Sequence, residues 1–105
     1  MSLKNNIDLA NVREVICVAL NYIGHVEEVE NQFDKAPYKE PPKTPVLFIK
    51  PQNTITQDKK NVLYPDEVSG VQAGPSLAVV IGKQARKVSE MEAMDYIKGY
   101  TIFND

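Results

Sequence analysis

Continuous runs of β-branched and aliphatic residues predict the strands of this chain. The two earliest runs are Glu14–Leu20 and Val46–Ile49, and apolar runs of this length without alternation are typical of strands buried on both faces. Two later runs, Leu77–Ile81 and Tyr100–Phe103, predict a third and a fourth strand. Val62–Tyr64 is a possible additional short strand, which a proline ends.

A short helix or helical loop is predicted over residues 21–30, because Tyr22, Val26 and Val29 recur at helical spacing. Residues 1–13 before the first strand are polar and rich in asparagine, and we interpret them as a lead-in with room for one helical turn. Residues 31–45 contain four prolines. Proline disfavours both helix and central strand, so this stretch is predicted to be an exposed, semi-extended loop.

A second helix is predicted to begin after Ser89. This serine and Glu92 have the spacing of a capping box, in which each side chain bonds to a backbone N–H of the first turn. An apolar stripe follows, typical of packing against a core, and a glycine could end the helix. These residues are Met91, Met94, Ile97 and Gly99.

Four apolar strands and one or two short helices indicate an α+β, mainly β fold. The chain shows no repeat of solenoid period. Its last strand ends two residues before the final residue, which leaves little to cover the sheet. We therefore expect a continuation of the chain or a partner, either a second copy in a homo-oligomer or a partner half-domain.

Composition narrows the function classes. Twelve basic and fourteen acidic residues among 105 give a net charge of −2, so no basic field is available for nucleic acid or a membrane surface. The longest apolar run, Val15–Leu20, is far shorter than the ~20 residues of a membrane span. The first residues lack an apolar signal core, and a single cysteine forms no internal disulfide, so we expect a soluble, cytoplasmic protein.

His25 and Glu28 are the leading candidates for catalysis. Three residues apart, they lie on one face if the segment is helical, within reach of each other. A carboxylate beside an imidazole orients the ring and suits it to general acid–base work. The alternative, which spacing alone favours, is an ordinary surface pair on an acidic helix.

The remaining polar candidates carry weaker signals. Lys50 follows an apolar strand and could meet an anionic substrate, but a lysine extending from a strand end into water is the commoner case. Asp95 and Asp105 are isolated carboxylates, and a hard divalent cation needs several converging oxygens. Cys17 lies in an apolar run and is predicted to be an inert core thiol.

Four stretches, in order and at suitable spacing, resemble the fumarylacetoacetate hydrolase family. They are Cys17–Glu28, Pro45–Pro51, Leu77–Glu90 and Ala93–Asp105. The resemblance implies mixed β-sheets of that family's type and a divalent metal, Mg²⁺ or Mn²⁺, that holds a small 2-oxo dicarboxylate or its enol and stabilises the enolate. It also implies that His25 and Glu28, in Asn-Tyr-x-x-His-x-x-Glu, act as an acid–base pair.

The sequence departs from the family pattern at the metal site. That pattern has Glu-x-Glu directly before an apolar strand and an aspartate one helix and one strand later. Reading back from Leu77, the two glutamate positions hold Gly74 and Ser76, and only Asp105 matches the third ligand. One carboxylate does not hold Mg²⁺ against water, so we expect no tightly bound metal here.

Within the family, residues 36–51 resemble the N-terminal half of the bifunctional isomerases/decarboxylases of aromatic catabolism. The resemblance implies a fragment or degenerate copy of such an enzyme, inactive by itself. The alternative is a non-catalytic, scaffolding or oligomerising half-domain. Residues 1–13 are interpreted as a lead-in. Because a complete domain of the family is longer than this chain, residues 14–105 are interpreted as the N-terminal part of an incomplete or truncated domain.

Overall fold

The computed structural model describes residues 7–36 and 40–105 of the chain. The strands are β1 (Val15–Ala19), β2 (Val46–Lys50), β3 (Pro75–Ile81) and β4 (Ile97–Asn104), and the α-helix is α1 (Ile23–Val29). Short 3-10 helices cover Leu9–Asn11, Glu30–Gln32, Gln52–Thr54 and Glu90–Tyr96. Four strands with one short α-helix and short 3-10 helices confirm the α+β, mainly β prediction. None of the helices in the described ranges has the length and hydropathy that crossing a bilayer requires.

The chain divides into two compact units, Met1–Val62 and Leu63–Asp105. In the first, β1 and β2 pair antiparallel, with Val15 opposite Lys50 and Ala19 opposite Val46. The long connection between these strands contains α1 and the 3-10 helix after it. Phe33, at 3% exposure, is the buried apolar side chain of the described residues, and it follows directly on that helical segment.

In the second unit, β3 and β4 form an antiparallel ladder that starts with Pro75 opposite Asn104. The register is regular until an irregularity between Val80 and Ile81. Exposure alternates along both strands, as expected for a sheet with two different faces. The ladder is rich in β-branched and aromatic residues, which suit a pleated, half-buried surface.

The prediction that the strands are buried on both faces is wrong for the described chain. Each described sheet has two strands, and many of its apolar side chains stay in contact with water. In the β3–β4 ladder, Leu77 lies opposite Ile102 and Val79 opposite Tyr100, and all four side chains are exposed. We call these four residues the β3–β4 apolar face. In the other sheet the exposed apolar residues are Ile16, Val18, Val46, Leu47, Phe48 and Ile49.

The predicted second helix is also different. Residues 90–96 form a 3-10 helix, and Ser89 makes no side-chain bond to a backbone N–H. Its Oγ instead donates to Oε2 of Glu92 at 2.6 Å. Met91 and Met94 are 94% and 66% exposed, so they do not form the predicted core stripe.

Strand pairing explains where this helix ends. Ile97 and Gly99, predicted as its last turn and its stop, belong to β4 and pair with Ile81 and Val80.

Two further predictions also change. Val62–Tyr64 is not a strand, and Cys17 is half-buried rather than a core residue. In the lead-in, a 3-10 turn covers Leu9–Asn11, while residues 1–6 lie outside the described part, as does Pro37 in the proline-rich stretch.

Candidate functional site

His25 and Glu28 lie on α1, as the sequence predicts, and the helix brings their side chains to one face. The distance between His25 Nδ1 and Glu28 Oε2 is 3.7 Å, and the side chains are 57% and 79% exposed. This distance exceeds that of a hydrogen bond, although acid–base pairs often tighten only when substrate binds. The geometry is compatible with proton transfer to a small molecule that approaches the pair from solvent. The catalytic role of His25 and Glu28 stays a prediction.

The second candidate site lies at the end of the β3–β4 ladder. Gly74, just before β3, and Asp105, just after β4, extend the ladder by a pair of backbone hydrogen bonds. The N–H of Gly74 donates to the Asp105 carbonyl at 2.6 Å, and the N–H of Asp105 donates to the Gly74 carbonyl at 2.9 Å. Residues directly opposite in an antiparallel pair share a face, as do residues two apart on one strand. Gly74, Ser76 and Asp105 therefore lie on the same face.

The backbone leaves room for a ligand side chain at position 74. A Cβ built on Gly74 would be 3.6 Å from the carbonyl oxygen of Asp105, an ordinary van der Waals contact. What the site lacks is carboxylate oxygens. Asp105 supplies the only carboxylate among its three positions, and no three His, Cys, Asp or Glu side chains within residues 7–36 and 40–105 converge to hold a metal ion.

Because Mg²⁺ and Mn²⁺ demand several oxygen ligands, the residues present do not fit the metal that the family resemblance implies. Asp95 does not supply a further ligand to a metal cluster, since it lies exposed on the 3-10 helix Glu90–Tyr96. That Gly74 and Ser76 stand where the family has carboxylate ligands stays a prediction, and the strand register places both positions on the same face as Asp105.

Lys50 is the last residue of β2, at the end of the β1–β2 sheet opposite to the point where the chain leaves β1 toward α1. It pairs with Val15 at the start of β1, whereas α1 follows the end of β1. Its Nζ lies 5.4 Å from the ring centroid of Phe48, in cation–π range. This contact matches the structural interpretation of a lysine that packs its stem along the sheet.

A cavity that the sequence did not predict lies in the first unit. It has a volume of about 380 Å³, within the usual size range of small-ligand pockets. Leu20, Val29 and Phe33 contribute apolar walls, and Gln32 and Glu40 contribute polar groups. Apolar spacing alone could not reveal it, because the cavity depends on how the chain turns between β1 and α1.

Comparison with known proteins identifies the relatives of this chain. A sequence model of the fumarylacetoacetate (FAA) hydrolase C-terminal family matches residues 14–105. The chain belongs to this family. The matched residues include all four strands and α1.

Three relatives show the range of proteins that share this FAA hydrolase segment. The chain is 41% identical over 91 residues to a homoprotocatechuate catabolism bifunctional isomerase/decarboxylase of Escherichia coli, which covers 87% of the chain and 19% of that protein. It is 37% identical over 93 residues to a mitochondrial oxaloacetate tautomerase of Bos taurus, covering 89% and 38%. An uncharacterized protein of Methanocaldococcus jannaschii is 37% identical over 110 residues, covering 99% and 43%. The chain thus spans less than half the length of each of these relatives.

The predicted resemblance to the family and to its bifunctional isomerase/decarboxylase is confirmed by these matches. Homologues of this FAA hydrolase segment are isomerase/decarboxylase and oxaloacetate tautomerase proteins.

Proposed function

We propose that this chain is a degenerate, metal-free copy of an FAA hydrolase domain that supports isomerase/decarboxylase chemistry on small 2-oxo dicarboxylates or their enols. The observation that carries the proposal is the end of the β3–β4 ladder. The backbone there puts Gly74, Ser76 and Asp105 on one face, which supports the proposal that these are the three ligand positions of the family and that Gly74 and Ser76 stand in place of two carboxylates.

The choice of chemistry is supported by what the relatives are named for. Tautomerisation moves a proton between carbon and oxygen, and loss of a carboxylate placed β to the ketone of a 2-oxo acid releases CO₂ and leaves an enolate that must be protonated. Both reactions need a group that moves a proton and a positive charge that stabilises the enolate. In this chain, His25 and Glu28 could move the proton, and the missing carboxylates remove the usual means of holding the cation.

A second candidate function is direct catalysis by the His25–Glu28 pair, with this chain contributing its acid–base groups to an enzyme of aromatic catabolism. The observation in its favour is that both side chains are solvent-accessible and 3.7 Å apart. Replacing His25 with glutamine in the protein that carries this segment, and measuring ketonisation of an enol dicarboxylate, separates the two. A loss of turnover favours direct catalysis, and unchanged turnover favours the supporting role.

Metal titration tests the main proposal. The unaltered chain is expected to bind Mg²⁺ and Mn²⁺ no better than about millimolar in calorimetry, as one carboxylate competes poorly with water. The double variant Gly74→Glu/Ser76→Glu is expected to bind Mn²⁺ at least about tenfold more tightly, which is ~1.4 kcal/mol. The control is Gly74→Gln/Ser76→Gln, which adds similar volume without charge and should not bind more tightly.

Micromolar binding by the unaltered chain would overturn the degenerate-site proposal. A folded double variant that binds no better than its glutamine control would show that these positions do not converge on one ion. Circular dichroism of each variant before titration establishes that it is folded.

We also propose that the chain associates with a second copy or a partner half-domain in the cytoplasm. The support is the β3–β4 apolar face, whose Leu77 and Ile102 are 64% and 80% exposed. Exposed contiguous apolar surface is typical of interaction sites. Sedimentation at high concentration is expected to show self-association, and a well-folded, strictly monomeric species would contradict it.

A further inference from the structure

The chain leaves far more of its surface in water than a folded domain of its mass does. Its solvent-accessible area is 10192 Å² for a mass of 11.8 kDa. A folded monomer of that mass exposes about 5,900 Å², and the extended chain exposes about 17,000 Å². The structure therefore buries about 40% of the extended chain's surface, whereas a domain of this size buries about 65%.

Much of the exposed apolar surface lies on the two sheets. Phe33 is the buried side chain of the described residues. In the first unit, the directly opposite pairs Ile16–Ile49 and Val18–Leu47 are all exposed and share one face, which we call the β1–β2 apolar face. The β3–β4 apolar face is its counterpart in the second unit. Each of these sheets has two strands, and an isolated two-stranded ribbon is only marginally stable in water.

The size of the excess area indicates the class of interface that would cover it. The chain exposes about 4,300 Å² more than a folded monomer of its mass. Residues 1–6 and 37–39, even if fully extended, would account for no more than ~1,400 Å² of this excess. A standard interface covers about 800 Å² on each partner, and obligate homodimers cover about 1,000–2,500 Å² or more. The remainder falls in the obligate class, in which the separate chains often have no stable fold.

A second copy of the chain has the chemistry to cover both faces. None of the eight residues of the two apolar faces is charged, so each face can meet its copy across a two-fold axis without opposing like charges. Lys98, two residues before Tyr100 and exposed, lies at the end of the β3–β4 apolar face, where a polar rim is expected. A net charge of −2 on each chain is too small to keep two copies apart.

We propose that this chain folds only as it associates with a second copy, with both apolar faces covered in the dimer. This inference rests on the association proposed above and adds that the two sheets are stable only in the associated state. It has a consequence for single substitutions. A residue that is exposed in the single chain should affect stability as a core residue does, because it is buried in the folded dimer.

Urea unfolding of the unaltered chain at about 1 and 100 µM tests this coupling, with sedimentation and far-UV circular dichroism recorded on the same samples. Loss of the dimer and loss of the β-sheet signal should coincide at both concentrations. The hundredfold increase in concentration should raise the urea midpoint by about 1 M. A midpoint that is independent of concentration would overturn the coupling. Dimers with such a midpoint would leave the association itself standing, and a folded monomer would overturn both. A chain that is unfolded at both concentrations would exclude a second copy as the partner.

Lysine substitutions show whether the apolar faces are responsible. Ile102→Lys and Ile49→Lys each place a charge on one face, and each should need at least about tenfold more protein to reach the same folded fraction. Met91→Lys is the matched control, because Met91 is 94% exposed and lies on the 3-10 helix Glu90–Tyr96, outside both faces. Its requirement should stay within about twofold of the unaltered chain. Effects as small in the two isoleucine variants as in this control would overturn the proposal. No metal is present, so these results are independent of the titration above.

Discussion

Replacing Gly82 with alanine tests the close packing at the far end of the β3–β4 ladder. The N–H of Gly82 donates to the carbonyl of Tyr96 at 2.8 Å, which fixes the backbone there. A Cβ at residue 82 would lie 2.8 Å from the Cβ of Lys98 and 3.4 Å from its Cα and N. These atoms belong to β4 near the backbone, so a side-chain rotation cannot relieve the contact.

The expected cost follows from two opposing effects. Overpacking of this kind costs about 1–3 kcal/mol. Alanine in place of glycine restricts the unfolded chain and returns about 0.4–1 kcal/mol where the native φ allows it. The net prediction for Gly82→Ala is a loss of about 0–2.6 kcal/mol in the free energy of unfolding, with a middle value of about 1.3 kcal/mol. For a domain of this size, each kcal/mol lowers Tm by roughly 4–8 °C.

Urea and thermal unfolding followed by circular dichroism measure this loss, with Gly70→Ala as the control. Gly70 has no heavy atom within 4 Å of a built Cβ, and its φ is not positive. The control should therefore be unchanged or more stable, by up to about 1 kcal/mol. If Gly82→Ala proved as stable as Gly70→Ala, the argument from close approach to Lys98 would be refuted.

Three further substitutions test other parts of the fold. Phe33→Ala should lower the stability of the first unit by about 3–5 kcal/mol in urea unfolding, and a loss below ~1 kcal/mol would mean that Phe33 anchors nothing. Ile102→Lys should weaken self-association in sedimentation because it charges the β3–β4 apolar face, whereas Ser69→Lys, at an exposed position outside the ladder, should not; equal effects of the two would exclude this face. Lys43→Ala, which removes the exposed 3.0 Å ion pair with Glu40, should change stability by less than about 1 kcal/mol, and a larger loss would show that the pair is more than a surface contact.

The strands could be predicted because short, uninterrupted apolar runs in a chain of this length are typical of β-strands. β1 lies within the predicted run Glu14–Leu20, and β3 contains the predicted run Leu77–Ile81, with bounds that agree to within two residues. Their exposure could not be predicted, because it depends on how many layers pack on each sheet. Val62–Tyr64 has strand-like residues but no pairing partner among the described strands, so propensity alone did not make it a strand.

The region after Ser89 shows why periodicity misled. Met91, Met94 and Ile97 have helical spacing, but Ile97 can also pair with Ile81. Ile97 and the residues after it pair with β3 instead of extending the helix, because cross-strand pairs of β-branched and aromatic residues stabilise a sheet. Only a short 3-10 helix then remains, and the methionines stay exposed.

The candidate site was predictable in part. The His25–Glu28 spacing places both residues on one helical face, as observed. The positions of the absent carboxylates follow from the family pattern, but their relation to Asp105 depends on long-range strand register. The positive φ of Leu20 could not be anticipated, because leucine gives no local signal for it.

The paired backbone hydrogen bonds between Gly74 and Asp105 fix the strand register at this point without fixing which side chains stand there. Neither bond uses a side-chain atom, so mutation can exchange the side chains at this point without breaking the ladder. Under the proposed function, exchange of metal ligands for other residues at this place leaves the strand register unchanged. A search for metal-ligand residues would miss a domain of this kind, whereas a comparison of strand register would detect it.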